Sequence, residues 1–280
     1  MTRLANRSRL HLAVGGDEFS VLSLTGREAL NRPFTFSVSV LADGWSQVAD
    51  RLGATASITL IAADGFQRRV SGILTGIEGE ADLADGRSII QLTVESSLVL
   101  LKQRSDSRLI VSETLPDILR QTLGRNGIAA SRLRFGLSRN YPVRPTTLQA
   151  EENDLDFLRR LTGREGLLFW SEAEEGGEII HLADTSNHCP LLAREFLPYV
   201  PNAGLETETV GTVKIGMFSI EDRAEMVPAC FWVHDVHENA PEHPTLIRRT
   251  TAQAQGAGPH THCVTFGSGA ANEEDAGTRP

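Results

Sequence analysis

Cysteine is scarce, with three residues in 280, Cys189, Cys230 and Cys263. An odd and widely spaced set does not read as a disulfide framework, so free thiols are expected and redox chemistry is not indicated. Long apolar runs are also missing. No stretch reaches the roughly eighteen consecutive apolar residues of a membrane span, and the opening MTRLANRSRLHLAV is basic but lacks the apolar core of a signal peptide. Folding in the cytoplasm, without membrane insertion, is therefore expected. Positive charge is in deficit too: the formal net charge is −9 and the pI near 5.4. Nucleic-acid surfaces concentrate Lys and Arg to displace phosphate counterions, which argues against such a partner here. The G-x-S-x-G elbow, the P-loop, H-E-x-x-H and the dinucleotide fingerprint are absent.

What is present is a chain with 40% hydrophobic residues, enough for a sizeable core and for two domains or one domain with a large insert. Leu10 to Val14 and Phe19 to Leu24 alternate around Gly15-Gly16-Asp17, the pattern of a hairpin. Pro33 forces an extended entry into Phe34, Phe36, Val38 and Val40, which share one sheet face. Trp45 to Leu52 reads as a short helical connection, Ala56 to Ile61 as a strand, Asp64-Gly65 as a turn and Arg68 to Glu78 as another strand. After the Asp85-Gly86 turn, Ser88 to Leu101 reads as a strand that alternates at Ile90, Leu92 and Val94 and ends in Leu98 to Leu101. About six strands joined by Gly and Asp turns are what a small barrel or sandwich requires.

Beyond Lys102 helix and strand mix. Arg104 to Val111 predicts a strand, and Ser112 to Gly124 a capped helix with Pro116 in its first turn. Leu133 to Leu137 is expected as a strand and Tyr141 to Pro145 as a proline-restricted extended segment. Leu148 to Trp170 then carries a complete helix signal. Asn153 is its N-cap, Asp154 and Asp156 place negative charge on its positive end, and Arg159, Arg160 and Arg164 lie further along. Leu155, Phe157, Leu158 and Leu161 form the buried face, Gly166 closes the helix, and Leu167 to Trp170 begins a strand that pairs with Glu178 to Leu182. The acids between Glu172 and Gly177 are expected in a solvated turn. From Asn187 to Gly204 the sequence is proline-rich and irregular, and Thr207 to Val210, Val213 to Ile220 and Ala229 to Val236 predict further strands. A charged turn follows from His237 to Pro244, and Thr251 to Pro280 lacks the apolar pattern of a strand.

Glu152 to Phe169 matches E-x-D-L-D-F-L-x-R-L-x-x-x-E-G-L-x-F, with Asn153 in the variable position. This segment resembles the signature of the VgrG spike proteins of type VI secretion systems and of the related phage tail-hub, or late control gene D, proteins. Gly26 to Phe36 resembles the same family's G-x-E-x-L-x-x-P-F-x-F, Arg68 to Thr75 its R-x-x-x-G-I-V-T pattern, and Asp235 to Pro241 its D-x-x-x-x-x-P stretch. The matches fall in family order from Leu10 to Pro244.

The resemblance implies an α+β, mainly β fold: two small β-barrels, each like the tube-forming Hcp protein, flanking an α/β insert. Mapped here, residues 1–103 form the first barrel, 104–186 the insert and 187–250 a partial second barrel, with 251–280 a low-complexity tail where the family pattern breaks off. It further implies a homotrimer in a pseudo-sixfold ring, adapting a hexameric tube to a trimeric spike. The implied partners are an Hcp-like tube protein, baseplate components and a separate spike or effector, with release from the cell on contraction.

Two groups of residues are candidates for chemistry. His234-x-x-His237 and His260-x-His262-Cys263, with Cys230 and His243, could in principle ligate zinc, but strand positions three apart point to opposite faces, so surface and loop roles are expected. Glu151, Glu152, Asp154 and Asp156 crowd together, yet acids at a helix start are explained by capping and the macrodipole. No catalytic, cofactor or metal residue is assigned, and no enzyme activity is expected. The competing readings are a cell-wall hydrolase or effector linked to a spike base, a phage baseplate hub with a separate spike polypeptide, and a free-standing binding module.

Overall fold

The computed structural model describes residues 10–62, 65–191, 199, 219, 221, 227–237, 240–250 and 257–266. The chain divides into two units, Met1–Gly163 with Leu167–Met217, and Arg164–Gly166 with Phe218–Pro280.

In the first unit, six antiparallel strands close a barrel: β1 (Leu10–Val14), β2 (Asp17–Arg27), β3 (Thr35–Ala42), β4 (Thr55–Ile61), β5 (Gln67–Asp82) and β6 (Ser88–Glu95). Their order around the barrel is β1-β2-β3-β6-β5-β4. Gly15 and Gly16 both have positive φ (58° and 96°), as a two-residue hairpin between right-twisted strands requires. Alternation fills the interior with Leu12, Val14, Phe36, Val38, Val40, Ile58, Leu74, Ile90, Leu92 and Val94. Closure removes the sheet edges that an open six-stranded sheet would expose. The short helix α1 (Ser46–Ala49) is the connection expected between Trp45 and Leu52.

One expected strand ending is corrected. Ser97–Gln103 is a 3-10 helix, begun by Ser96, whose side chain accepts from the Leu98 amide. Leu98 and Leu101, three apart, fall on one face of such a helix and are fully buried in the neighbouring core. The barrel therefore ends at Glu95.

That core belongs to the α/β module. Strand β7 (Ser105–Glu113) and helix α2 (Leu115–Gly124) come first, followed by β8 (Leu133–Gly136), β9 (Arg144–Asn153) and α3 (Asp154–Arg164). The hairpin β10 (Leu168–Glu174) and β11 (Gly177–Ala183) completes it. β7 and β9 form a two-stranded antiparallel ribbon. β8, β11 and β10 form a sheet in which β8 runs parallel to β11. Leu115, Ile118, Leu119 and Leu123 of α2 meet Leu155, Phe157, Leu158 and Leu161 of α3 in one cluster, with Leu167, Phe169, Ile180 and Leu182. The tight β10–β11 turn takes only Glu175 and Gly176, so Glu172 and Glu174 lie in the strand and not in the expected loop.

The second unit contains a three-stranded sheet of β12 (Val227–His237), β13 (Ala240–Thr250) and β14 (Ala257–Phe266), ordered β13-β12-β14. β12 pairs antiparallel with β13 and parallel with β14. Two expectations are corrected here. The turn placed over His237 to Pro244 gives way to a strand from Ala240, and the tail from Thr251, read as unable to supply a strand, provides β14. The strands expected over Thr207 to Val210 and Val213 to Ile220 lie, apart from Ser219, outside the described residues.

Candidate functional site

Two of the family-like motifs, Gly26 to Phe36 and Glu152 to Phe169, meet at a joint between barrel and module. Asn31, in the loop between β2 and β3, sits in the left-handed region (φ 61°), which asparagine tolerates better than most residues. There its amide donates to the Phe169 carbonyl at 2.9 Å, and its Oδ1 accepts from the Phe169 amide at 2.8 Å. Asn31 thus caps one residue of β10 on both sides. A second tie uses Glu178 of β11, which is only 5% exposed. Its carboxylate accepts from Ser96 Oγ at 2.5 Å and from the Ser97 amide at 2.8 Å, at the point where β6 turns into the 3-10 helix. Hydrogen bonds to a charged acceptor are the stronger kind, and the one from Ser96 is buried. Barrel and module are therefore fastened at two places on one hairpin.

Within the module, the start of α3 holds a buried carboxylate. Asn153 acts as the expected cap: its Oδ1 accepts from the Asp156 amide at 2.9 Å, and its Nδ2 donates back to Asp156 at 2.7 Å. Asp154 does not serve the dipole from the surface, as its position in the sequence suggested. It is fully buried and accepts from Arg125 Nε (2.8 Å) and the second guanidinium nitrogen (2.9 Å). Asn126 Nδ2 (2.6 Å) and Gln149 Nε2 (2.8 Å) also donate to it. Gln149 in turn accepts from Arg108, which also donates to Thr122 Oγ1 at 2.9 Å. Arg108 and Arg160 each place a guanidinium 5.4 Å from the ring centre of Phe157. A buried charge with this many partners is satisfied, and it locks β7, α2, β9 and α3 together.

Two other acids of this cluster are also committed. Glu152 pairs with Arg160, and Asp156 with Asn153 and Arg159. The Glu151 amide donates to Ser107 Oγ at a positive-φ position (φ 48°) in the ribbon.

A further constellation was not legible in the sequence. Ser138 Oγ lies 2.7 Å from His188 Nε2, and Asp184 is nearby. The carboxylate, however, serves the loop: Asp184 Oδ2 accepts from the amides of Ser138 and Arg139, both at 2.8 Å, and from the Tyr141 hydroxyl at 3.2 Å. A nucleophilic triad needs the acid to orient the imidazole, whereas here it orients the serine's backbone. Burial pushes the Asp184 carboxyl up, but these donors, with the Arg139 charge, outweigh it and hold the group below its ordinary value. Burial pushes the Tyr141 hydroxyl up to about 12, so it remains a donor at neutral pH. The only hint in the sequence was Asp184-Thr185-Ser186 directly after a strand, a turn-forming run.

Among the described residues no group of His, Cys, Asp and Glu is arranged to hold a metal ion. The register of the second unit sets Cys230 beside His262 and Cys263 beside Phe231, while His234 stands opposite Leu246 and Phe266. His243 falls within β13, and His260 within β14.

Comparison with known proteins fits this architecture. The family model described as phage tail baseplate hub (GPD) matches residues 27–279. The chain belongs to that family. Among curated relatives, the type VI secretion system spike protein VgrG5 of Pseudomonas aeruginosa is 29% identical over 216 residues, covering 76% of this chain and 27% of its own length. VgrG1b of the same organism is 29% identical over 177 residues, covering 63% of this chain and 24% of the relative. The chain thus spans about a quarter of the length of the curated relatives it matches. Among solved structures, the E. coli c3393 component of the type VI secretion system gives a TM-score of 0.59 at 22% identity, covering 69% of this chain and 53% of that one. That protein is itself described as similar to the phage T4 tail proteins gp27 and gp5.

Proposed function

We propose that this chain is a structural hub subunit of a contractile injection machine, of the type VI secretion or phage-tail kind. The observation that carries the reading is the hub-family match over residues 27–279, in a chain whose first unit holds a closed β-barrel clamped to an α/β module. Such a clamp suits a part that transmits load. Mechanical stiffness calls for buried, well-partnered polar joints, and Glu178 and Asp154 supply them, with the half-buried Asn31 as a further tie.

In this reading the strands β12, β13 and β14 belong to a second barrel, and copies associate as a homotrimer whose alternating barrels present six similar units to the end of an Hcp-like tube. The chain works by assembly and not by catalysis, with baseplate proteins and a spike or effector as further partners. It assembles in the cytoplasm and leaves with the spike. No described helix is long and apolar enough to cross a membrane.

Electron microscopy of the protein mixed with a tube-forming partner of the Hcp type tests this. Rings seated at tube ends are expected. Tubes that remain uncapped across a concentration series would overturn the reading.

A further inference from the structure

Between the outer wall of the barrel and the module lies an open cleft of about 430 Å³, within the size range of ligand sites. The barrel side is formed by β1, β4 and β5, where Ser57 and Ser71 are cross-strand partners. The module side is formed by the 3-10 turn Ala130–Arg132 and the β10–β11 turn.

Two guanidinium groups line this cleft. Arg132 is held in place, donating to the Glu178 carbonyl at 3.1 Å and the Gly176 carbonyl at 2.7 Å. It also rests against Gly177, where an added Cβ would collide with it. Carbonyls occupy some of its donors without cancelling its charge. Arg69, on β5, is exposed and has no carboxylate partner among the described residues. The acid in the lining is Glu178, whose carboxylate is taken up by Ser96 and Ser97 in the joint. The cleft is thus a concave region with excess positive charge on a chain of net charge −9. Its remaining wall is neutral, with Leu100 and Ile128 offering apolar surface.

We propose that this cleft binds the carboxylate side chains of an acidic segment from a partner protein. Arg132 provides a pre-set fork on one wall, Arg69 a second cation on the other, and the apolar residues take the aliphatic stems of glutamates. The space is much larger than a single oxyanion fills. The site goes beyond the hub assignment and does not depend on it.

Fluorescence anisotropy with a dye-labelled hexaglutamate peptide, competed by inorganic phosphate, tests the proposal on the full chain. Saturable binding is expected, weakened roughly tenfold by Arg69→Ala, largely retained by Arg69→Lys, and falling as salt rises past about 0.1 M. Because Arg69 is exposed, its removal is expected to leave the thermal midpoint in place. Absence of saturable binding, an affinity unchanged by Arg69→Ala, or displacement by phosphate at a concentration equal to the peptide would each overturn it.

Discussion

Asp154 shows how far a single side chain can differ from its apparent role. In the sequence it is one of four acids at the start of a helix, and capping explains its presence there. In the fold it is the acceptor around which Arg125, Asn126 and Gln149 are arranged. Nothing in the spacing of residues 108, 125, 149 and 154 marks them as neighbours, because four different elements bring them together. Asp154→Ala leaves the largely buried Arg125 guanidinium without its main counter-charge, and the expected loss is about 3–5 kcal/mol in chemical denaturation. Asp184 carries the pH dependence. Its carboxyl is held below the ordinary aspartate value, so the stability it adds is complete above the unfolded-state pKa near 3.8 and is lost as pH falls through the lower, folded value. Wild-type protein should therefore lose more stability on acidification from pH 5 to about pH 2 than Asp184→Asn does. Equal acid limbs in thermal melts of the two proteins would contradict that assignment. At the barrel joint, Asn31→Ala removes an acceptor and puts a Cβ residue less suited to positive φ at the same place, with an expected loss of about 1–3 kcal/mol.

At the scale of elements, the helix α3 and the barrel strands were readable because each obeys one simple period. Leu155, Leu158 and Leu161 are at most 3% exposed, as their spacing implied. Leu158→Ala should cost about 2–5 kcal/mol, and Asn153→Ala about 1 kcal/mol through the lost cap, both measurable from urea midpoints. A loss below about 1 kcal/mol for Leu158→Ala would place that face at the surface. The ribbon strand β9 escaped notice for a physical reason: its pattern is inverted. Thr147 and Gln149 face inward, while Leu148, at 57% exposure, faces out. Its partner β7 does the same, with Arg108 inward and Leu109 and Val111 outward. A reading that assigns apolar residues to the core puts the wrong face of such a strand inside, because the buried side serves a carboxylate. The 3-10 turn at Ser97–Gln103 and the strand β14 were missed otherwise. In the first, a leucine-rich run looked like the end of β6. In the second, ten residues of mixed character were averaged into a long Ala- and Gly-rich tail.

For the whole molecule, the family-like motifs gave the order of parts, and the fold explains why two of them are kept together: Asn31 of one bonds Phe169 of the other. Barrel closure and the meeting of barrel with module depend on pairings between residues up to 138 positions apart, which no local pattern encodes. We propose that this chain works as a repeated part of a symmetric ring, and the mass of the purified protein in solution decides whether it does. Sedimentation equilibrium or native mass spectrometry should find three chains per particle, three times the 30.5 kDa of one. A monodisperse particle of one chain, unchanged across concentration, would contradict it.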